Sequence, residues 1–336
     1  MANQLVKIKL RRLLHLLGWC YIGLLILWFS LRLVFFDQIW WLALLNTIAF
    51  YLFVPLALLL PLSIWARQRY LILGLAIPTA MFIGLFGKLL LPSFLTPTLM
   101  PQQAFRMMSF NVLWSNQNYA QIAQAVQTAN PDVIGLQEVR PPNIAALTAA
   151  LAEYPYSAFH QSDLYHTVGI MSRFPIVSVV QLPDPPLERG LQVVIDVNGT
   201  LLTVIVAHLA PNNMPLVPFS EFVKQTKERY ARRAAEIDYL KHEVQKRSHP
   251  TILVCDCNMT DTSQTYAQLQ TILTDSFLEV GWGLGHTLQV EAFPFPVQRV
   301  DYIWHTADLQ AVNAYVGNNG GSDHQPVIAT MQLIQK

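Results

Sequence analysis

The sequence predicts an α/β protein in two parts: three N-terminal helices of membrane-spanning length, then a sandwich of two β-sheets with helices outside. Three observations carry this reading. Charge is unevenly spread: residues 1–100 hold eight basic side chains and one acidic one, and residues 101–336 hold fourteen basic and twenty acidic. Only 13% of the 336 residues are charged and 53% are hydrophobic, whereas a soluble domain is roughly 25% charged. Beyond residue 104, short apolar runs alternate with helical patterns, the order expected of helices layered on sheets. A disordered chain is excluded. The later part has a net charge of −6, which argues against nucleic-acid binding by bulk charge.

Between Leu13 and Met100 the only formal charges are Arg32, Asp37, Arg67, Arg69 and Lys88. A membrane helix needs about 20 apolar residues, and the stretch divides into three such spans at 13–34, 39–65 and 70–93. A cleaved signal peptide would use Lys7, Lys9, Arg11 and Arg12 as its basic end. The apolar run that follows is too long, and two further spans come after it. These four residues, with Arg67 and Arg69 between spans two and three, place the N-terminus and second loop in the cytoplasm. Everything after about residue 95 is then extracytoplasmic, and the chain is expected in the cell (inner) membrane as a multi-pass protein. Trp40, Trp41, Trp65 and Tyr70 fall at span ends, as interfacial aromatics do. His15 and Asn46 are the only strongly polar uncharged side chains in the spans. With no intramembrane carboxylate, residues 1–94 read as an anchor and not a transport pathway.

The Pro-rich stretch ending at residue 103 supplies a linker, 95–103, and residues 104–336 the second domain. Strands are expected at 105–113 and 132–139, separated by a helix at 118–129 that stops at Asn130-Pro131. Strands follow at 168–172 and 176–182. Residues 191–209 form a hairpin turning at Asn198-Gly199. A helix at 219–247 leads to strands at 251–256, 299–305, 309–317 and 326–334. Cys20 lies in the first span. Cys255 and Cys257 sit two apart on a strand, side chains on one face, poorly placed for a disulfide. They are expected as small buried hydrophobes.

Polar residues stand where the apolar strands stop: Asn111, Glu138, His208, Asp256 and Asn258, Asp301, then Asp323 and His324. Each alone has an ordinary structural explanation as a turn residue, a solvated strand end or a core histidine. Gathered on one rim of a sandwich they would make a site for a hard divalent cation and a phosphate, since Mg²⁺ favours a few carboxylates with waters and phosphate oxygens.

Asn111, Gln137-Glu138, Ser172-Arg173-Phe174-Pro175, His208, Asp256-x-Asn258, Arg299-x-Asp301-Tyr302-Ile303 and Ser322-Asp323-His324-x-Pro326 together resemble the endonuclease/exonuclease/phosphatase superfamily over nearly all of 104–334. The resemblance implies a four-layer α/β/β/α, DNase I-like sandwich and metal-dependent hydrolysis of a phosphate ester or anhydride. It makes Glu138 the main ligand of Mg²⁺, or of Mn²⁺ in its place, with Asn111 assisting and Asp323 supporting. Asp256 would orient or deprotonate the attacking water, and Asn258 would hold a phosphoryl oxygen. His324, its ring fixed by Asp301, and His208 would bind phosphoryl oxygens. The sequence departs from the family where Gly-Asp-Phe-Asn becomes Cys255-Asp256-Cys257-Asn258. Leu113 also stands where DNA-repair members carry Asp.

Three spans followed by an outward catalytic domain resemble the membrane-anchored bacterial branch of that superfamily. Some of its members are phosphatases of lipid-linked pyrophosphates, including undecaprenyl pyrophosphate. The expected partners are therefore the lipid bilayer and a lipid-linked phosphate substrate, with nucleic acid less favoured. The alternatives are an extracytoplasmic nuclease or other phosphodiesterase, which Leu113 and the acidic domain count against, and a non-catalytic membrane-tethered recognition module, which the completeness of the polar set counts against. Two surfaces could meet lipid, but each has an ordinary reading that is favoured: Leu216, Val217, Phe219 and Phe222 of the loop 209–222 are expected to pack under it, and the face of helix 219–247 bearing Lys224, Lys227, Arg232, Arg233 and Lys241, which also carries acids, is expected to be a solvated face.

Overall fold

In the computed structural model, residues 2–91, 104–161, 167–183, 185–187, 189–211 and 217–334 are described. The linker 95–103 and Leu216 lie outside them. Two compact units are present: Met1–Leu90 with Thr262–Gln264, and Leu91–Asp261 with Thr265–Lys336.

In the first unit, α1 (Ala2–Phe35) is followed by α2 (Trp40–Thr47), a short 3₁₀ turn (Ala49–Phe53), α3 (Leu56–Trp65) and α4 (Arg69–Leu90). α1 and α4 are each long and apolar enough to cross a membrane. The middle span is not the single helix expected: α2 and the helical stretch to Trp65 meet at a 73° bend, so the unit has two spanning helices, or three if the bent pair counts as one. The break has a local cause. Thr47 Oγ1 donates to Ala43 O at 3.0 Å, a back-bond that bends helices. Gly18 and Gly74 let α1 and α4 approach closely: a Cβ at Gly18 would lie 2.6 Å from Leu71, and one at Gly74 would lie 2.9 Å from Trp19. Small residues serve this role between apolar helices. The two polar side chains of the spans have structural partners. Asn46 donates to Asp37 (2.7 Å) and accepts from Trp28 Nε1 (3.1 Å), and His15 lies 3.0 Å from Gln68 Oε1.

The second unit starts with β1 (Ala104–Asn111), α5 (Tyr119–Ala129), β2 (Val133–Gln137), α6 (Ile144–Ala150), β3 (Tyr156–Gln161), β4 (Thr167–Ser172) and β5 (Ile176–Gln181). The hairpin β6 (Gly190–Val197) and β7 (Thr200–His208) follows, then α7 (Phe219–Gln245), β8 (Thr251–Asp256), α8 (Gln264–Leu269), β9 (Thr274–Asp275) and α9 (Ser276–Val280). A small hairpin, β10 (Leu288–Gln289) and β11 (Pro296–Gln298), precedes β12 (Asp301–His305), β13 (Leu309–Val316) and β14 (Val327–Leu333). One six-stranded sheet has the order β13-β14-β1-β2-β4-β3, the other β5-β6-β7-β8-β12-β9.

Each element follows from its residues. Asn118 caps α5 by accepting from Gln121 N, and Asn130 ends the helix in the left-handed region ahead of Pro131. Asn198 and Gly199, both at positive φ, make the tight turn of the β6–β7 hairpin. The buried residues of α5 and α6 pack on the first sheet, with Ile122, Val126 and Leu147 against Phe110, Ile134 and Leu136. Ile237 and Leu240 of α7 pack on the second sheet against Ile205, Leu253 and Trp304. The two sheets face each other so closely that a Cβ on Gly135 would overlap Val254. The result is the α/β/β/α layering.

Two expectations are corrected here. Cys255 and Cys257 are joined by a disulfide, with Cα atoms 5.0 Å apart. β8 stops at Asp256, between the two cysteines, and the Cα separation falls within the usual range of roughly 4.4–6.8 Å. Arg233 does not belong to a basic outer face: it is buried, and its Nε donates to Ala210 O at 3.1 Å. Of the 209–222 loop, Phe219 is 72% exposed.

Candidate active site

Sheet register gathers the polar residues. β1 and β2 are parallel, pairing Asn111 with Gln137 at their C-terminal ends. β7 and β8 are parallel, pairing His208 with Asp256 at theirs. β12 runs antiparallel to β8, so its first residue, Asp301, also pairs with Asp256. Asp256 is thus flanked in register by a histidine and an aspartate, and four strand ends and one strand start share one edge. Three residues at this edge, Leu113 (φ 62°), Glu138 (φ 59°) and Asn258 (φ 48°), adopt the left-handed backbone that side-chain-bearing residues rarely take, a conformation concentrated at functional sites.

The amide of Asn111 holds the centre. Its Nδ2 donates to Glu138 Oε1 (3.1 Å) and Asp256 Oδ2 (3.0 Å). Its Oδ1 accepts from Leu113 N (3.0 Å), which fixes the amide orientation. Glu138 Oε2 accepts from Trp114 N at 3.1 Å. His208 Nε2 lies 3.4 Å from Asp256 Oδ2 and 3.8 Å from Glu138 Oε1. On the other flank, His324 Nδ1 donates to Asp301 Oδ2 at 2.8 Å, and His324 Nε2 lies 3.8 Å from Asp256 Oδ2. Ser322 fastens this segment by donating to Asn111 O (2.8 Å) and accepting from His324 N (3.0 Å). Asn258 gives its backbone N–H to Asp256 Oδ1 (3.1 Å) and its side-chain amide to Leu209 O (3.1 Å). Asp323 is half-buried beside His324, and its Oδ1 lies 3.4 Å from Ser322 Oγ.

Charge in this buried space is finely set. Burial pushes the Asp256 carboxyl up to about 7, against the lowering effect of the His324 cation. Burial alone would push His324 down, but Asp301 and Asp256 outweigh it and raise the imidazole to about 10. Burial also raises Asp323. At neutral pH His324 is therefore a cation held by Asp301.

Two overlapping groups of donors could hold a metal ion: Glu138, His208 and Asp256, and Asp256, Asp301 and His324. Within each, one ligand atom per residue lies within 4.8 Å of the others. The set fits a divalent cation. Its donors are mostly carboxylate oxygens, hard ligands that suit Mg²⁺ or Mn²⁺. Among the described residues, Asp301 Oδ1 is buried with no hydrogen-bond partner, a lone pair that burial would otherwise make costly.

Sequence reasoning missed Arg189 and Thr287. Buried Arg189 places Nη1 3.1 Å from His208 Nδ1 and 3.4 Å from its Nε2, and so holds the ring against the Asp256 side of the site. The signal was present: the Asn198-Gly199 turn pairs Gly190 with Ala207, and one step further sets Arg189 opposite His208. Thr287 Oγ1 accepts from Val300 N and Asp301 N (3.2 Å each), fixing the entry to β12; it carries no sequence signal. Ser172-Arg173-Phe174-Pro175 lies away from the rim, because β4 runs antiparallel to β2 and pairs Ser172 with Val133. There Arg173 pairs with Asp132 at 3.3 Å. Arg299 likewise serves the core, with Nη1 2.6 Å from Asp275 Oδ2.

A two-sheet sandwich with carboxylates, an amide and histidines at one edge defines the class of phosphoester hydrolases. The sequence profile of the Endonuclease/Exonuclease/phosphatase family matches residues 108–324, and the chain belongs to that family, whose members hydrolyse phosphoester bonds and use divalent metals. No curated protein matches it in sequence. Among solved structures, it is similar to an endonuclease/exonuclease/phosphatase from Beutenbergia cavernae (22% identity, 69% of this chain and 72% of that one, TM-score 0.52). It is also similar to the Bacteroides thetaiotaomicron mannosyl-6-phosphatase (18%, 68% and 99%, TM-score 0.52). D. rerio TDP2 complexed with single-strand DNA product is a third (18%, 68% and 99%, TM-score 0.54). At these identities the likeness is one of fold.

Proposed function

We propose that the chain is a membrane-anchored, divalent-metal-dependent phosphohydrolase whose active site works on the outer face, on a lipid-linked phosphate or pyrophosphate. The observation that supports it most is one arrangement: Asp256 between His208 and the Asp301–His324 pair, and tied through Asn111 to Glu138, in a chain whose α1 and α4 have membrane-spanning length.

Glu138, with Asp256 beside it, would hold the metal, and Asn111 would align the two carboxylates by donating to both. A divalent ion bound there supplies positive charge to the phosphate oxygens. The protein's own groups do the rest. Asp256, its carboxyl raised by burial, is suited to take a proton from the attacking water near neutral pH. The oxygen of that water bonds to phosphorus as the bond to the leaving oxygen breaks. His324, cationic at Nε2, and His208 beside it donate to oxygens on which negative charge gathers. A substrate with a long apolar chain stays in the bilayer, so an enzyme tethered to the membrane meets it there.

The test is phosphate release by the full chain in detergent with Mg²⁺, comparing a polyprenyl pyrophosphate, a phospholipid, sphingomyelin and DNA. Glu138→Gln and His324→Ala serve as controls. Orthophosphate from the pyrophosphate, lost in both variants, is the expected result. Cleavage of a diester alone moves the assignment to a phosphodiesterase or nuclease. Silence on every substrate with intact metal binding overturns the enzymatic reading. Reporter fusions after residue 104 test orientation, and a cytoplasmic signal excludes an outer-leaflet substrate.

A further inference from the structure

The β10–β11 hairpin is an exposed apolar projection fastened to the site. Residues 290–295 are exposed throughout, with Val290, Phe293 and Phe295 at 36%, 47% and 55%. The two phenyl rings pack together, centroids 5.6 Å apart, so the tip has a defined shape. Glu291 is the only charge between Leu288 and Gln298. Its base is hydrogen-bonded to the catalytic loop on both sides of His324: Gln289 N donates to Asp323 O, and Gln325 N donates to Thr287 O, each at 2.8 Å. Leu288 and His324 form a bridge pair. Wherever the tip is held, His324 is held with it.

We propose that this hairpin inserts its Val290–Phe295 tip into the interfacial region of a lipid bilayer and so sets His324 at the depth of lipid phosphates. The inference rests on the reading of the chain as membrane-anchored. The occupant follows from that tether: the twelve residues between Leu91 and Ala104 reach at most about 45 Å when extended, so the domain stays near a bilayer. A contiguous exposed apolar patch marks an interaction site, and Phe side chains partition favourably at a membrane surface. With one acidic residue and no basic one at the tip, insertion depends on apolar burial and not on attraction to anionic lipid.

The experiment uses the full chain in lipid nanodiscs. Cys20 is replaced by Ser, and a nitroxide is attached at Ala292→Cys or, as a control, at Lys246→Cys near the C-terminal end of α7, where the native side chain is 71% exposed. Collisions with oxygen, which concentrates in lipid, are compared with collisions with an aqueous nickel chelate. The label at 292 is expected to favour oxygen and that at 246 the chelate, with no dependence on anionic lipid content. The double variant Phe293→Ser/Phe295→Ser should turn over bilayer-embedded substrate about tenfold or more slowly, and a water-soluble phosphate ester at an unchanged rate. A water-exposed label at 292 overturns the docking, and continued hydrolysis of the soluble ester then leaves the phosphohydrolase reading standing. Spin–spin broadening with shielding from both reagents means that a second copy covers the tip, and also overturns it. A lipid-inserted label on a chain that hydrolyses no phosphate supports the docking and removes the proposed function instead.

Discussion

Asp301 Oδ2 accepts a hydrogen bond from His324 Nδ1 at 2.8 Å, and both residues are buried. The bond joins the first residue of β12 to the loop between β13 and β14. It fixes the imidazole so that Nε2 faces Asp256, and it keeps the ring charged where burial alone would discharge it.

Asp301→Asn should therefore lower kcat about 100-fold or more with little change in KM. A neutral partner lets burial prevail, so His324 loses its proton at lower pH. The alkaline limb of the pH–rate profile should move down accordingly. An unmoved limb would show that His324 is not the group being held.

Asn111 is the donor shared by two carboxylates. Asn111→Leu keeps the branched side-chain shape and removes both hydrogen bonds, leaving Glu138 and Asp256 unaligned. Loss of such an orienting partner weakens metal binding about 10- to 100-fold. Calorimetric titration of Mg²⁺ or Mn²⁺ into the full chain in detergent measures it, and an unchanged affinity would exclude this role.

Without metal, stability should fall as pH rises. His324 is raised above its ordinary 6.5 to about 10, so its contribution is complete below 6.5 and lost as pH climbs through 10. Asp256 is raised from 3.8 to about 7, and Asp323 shifts the same way. The folded state thus binds more protons than the unfolded one, and the slope of stability against pH is negative. In EDTA the thermal transition should move down between pH 5 and 9. Millimolar Mg²⁺ should flatten the trend, because a cation replaces the protons. A transition that rises with pH in EDTA would contradict these shifts.

Gly135 lies where the two sheets approach, and an added Cβ would meet Val254 in the centre of the sandwich. Gly135→Ala should cost about 1–3 kcal/mol, the usual penalty of overpacking, without altering metal affinity. Denaturant unfolding monitored by near-UV circular dichroism checks the first, and titration the second.

Much of this was legible in local pattern. The β6–β7 hairpin could be read from Asn198-Gly199, α5 from its asparagine-bounded helical run, and β8 from an apolar run ending in Asp256, because turn chemistry and burial act over a few residues. The functional set could be read from polar residues placed where apolar strands end. The middle apolar span was less legible. Its composition is that of a membrane helix, yet it breaks after Thr47 and bends by 73°, a geometric outcome that hydropathy does not encode. β3 (Tyr156–Gln161) and the short β10–β11 hairpin also escaped notice, since their runs are brief and their partners distant in sequence.

The sequence by itself determined the partition into an apolar helical part and an acidic α/β domain, and the identity of the polar residues, because charge, hydropathy and turn preference are local properties. Tertiary structure decided which of those residues meet. Only the pairing of β7, β8 and β12 sets His208 and Asp301 on either side of Asp256. Only hairpin register brings Arg189 to His208. Each depends on contacts between segments or on backbone turns whose geometry no short stretch specifies, so the chemistry of the site is a property of the fold.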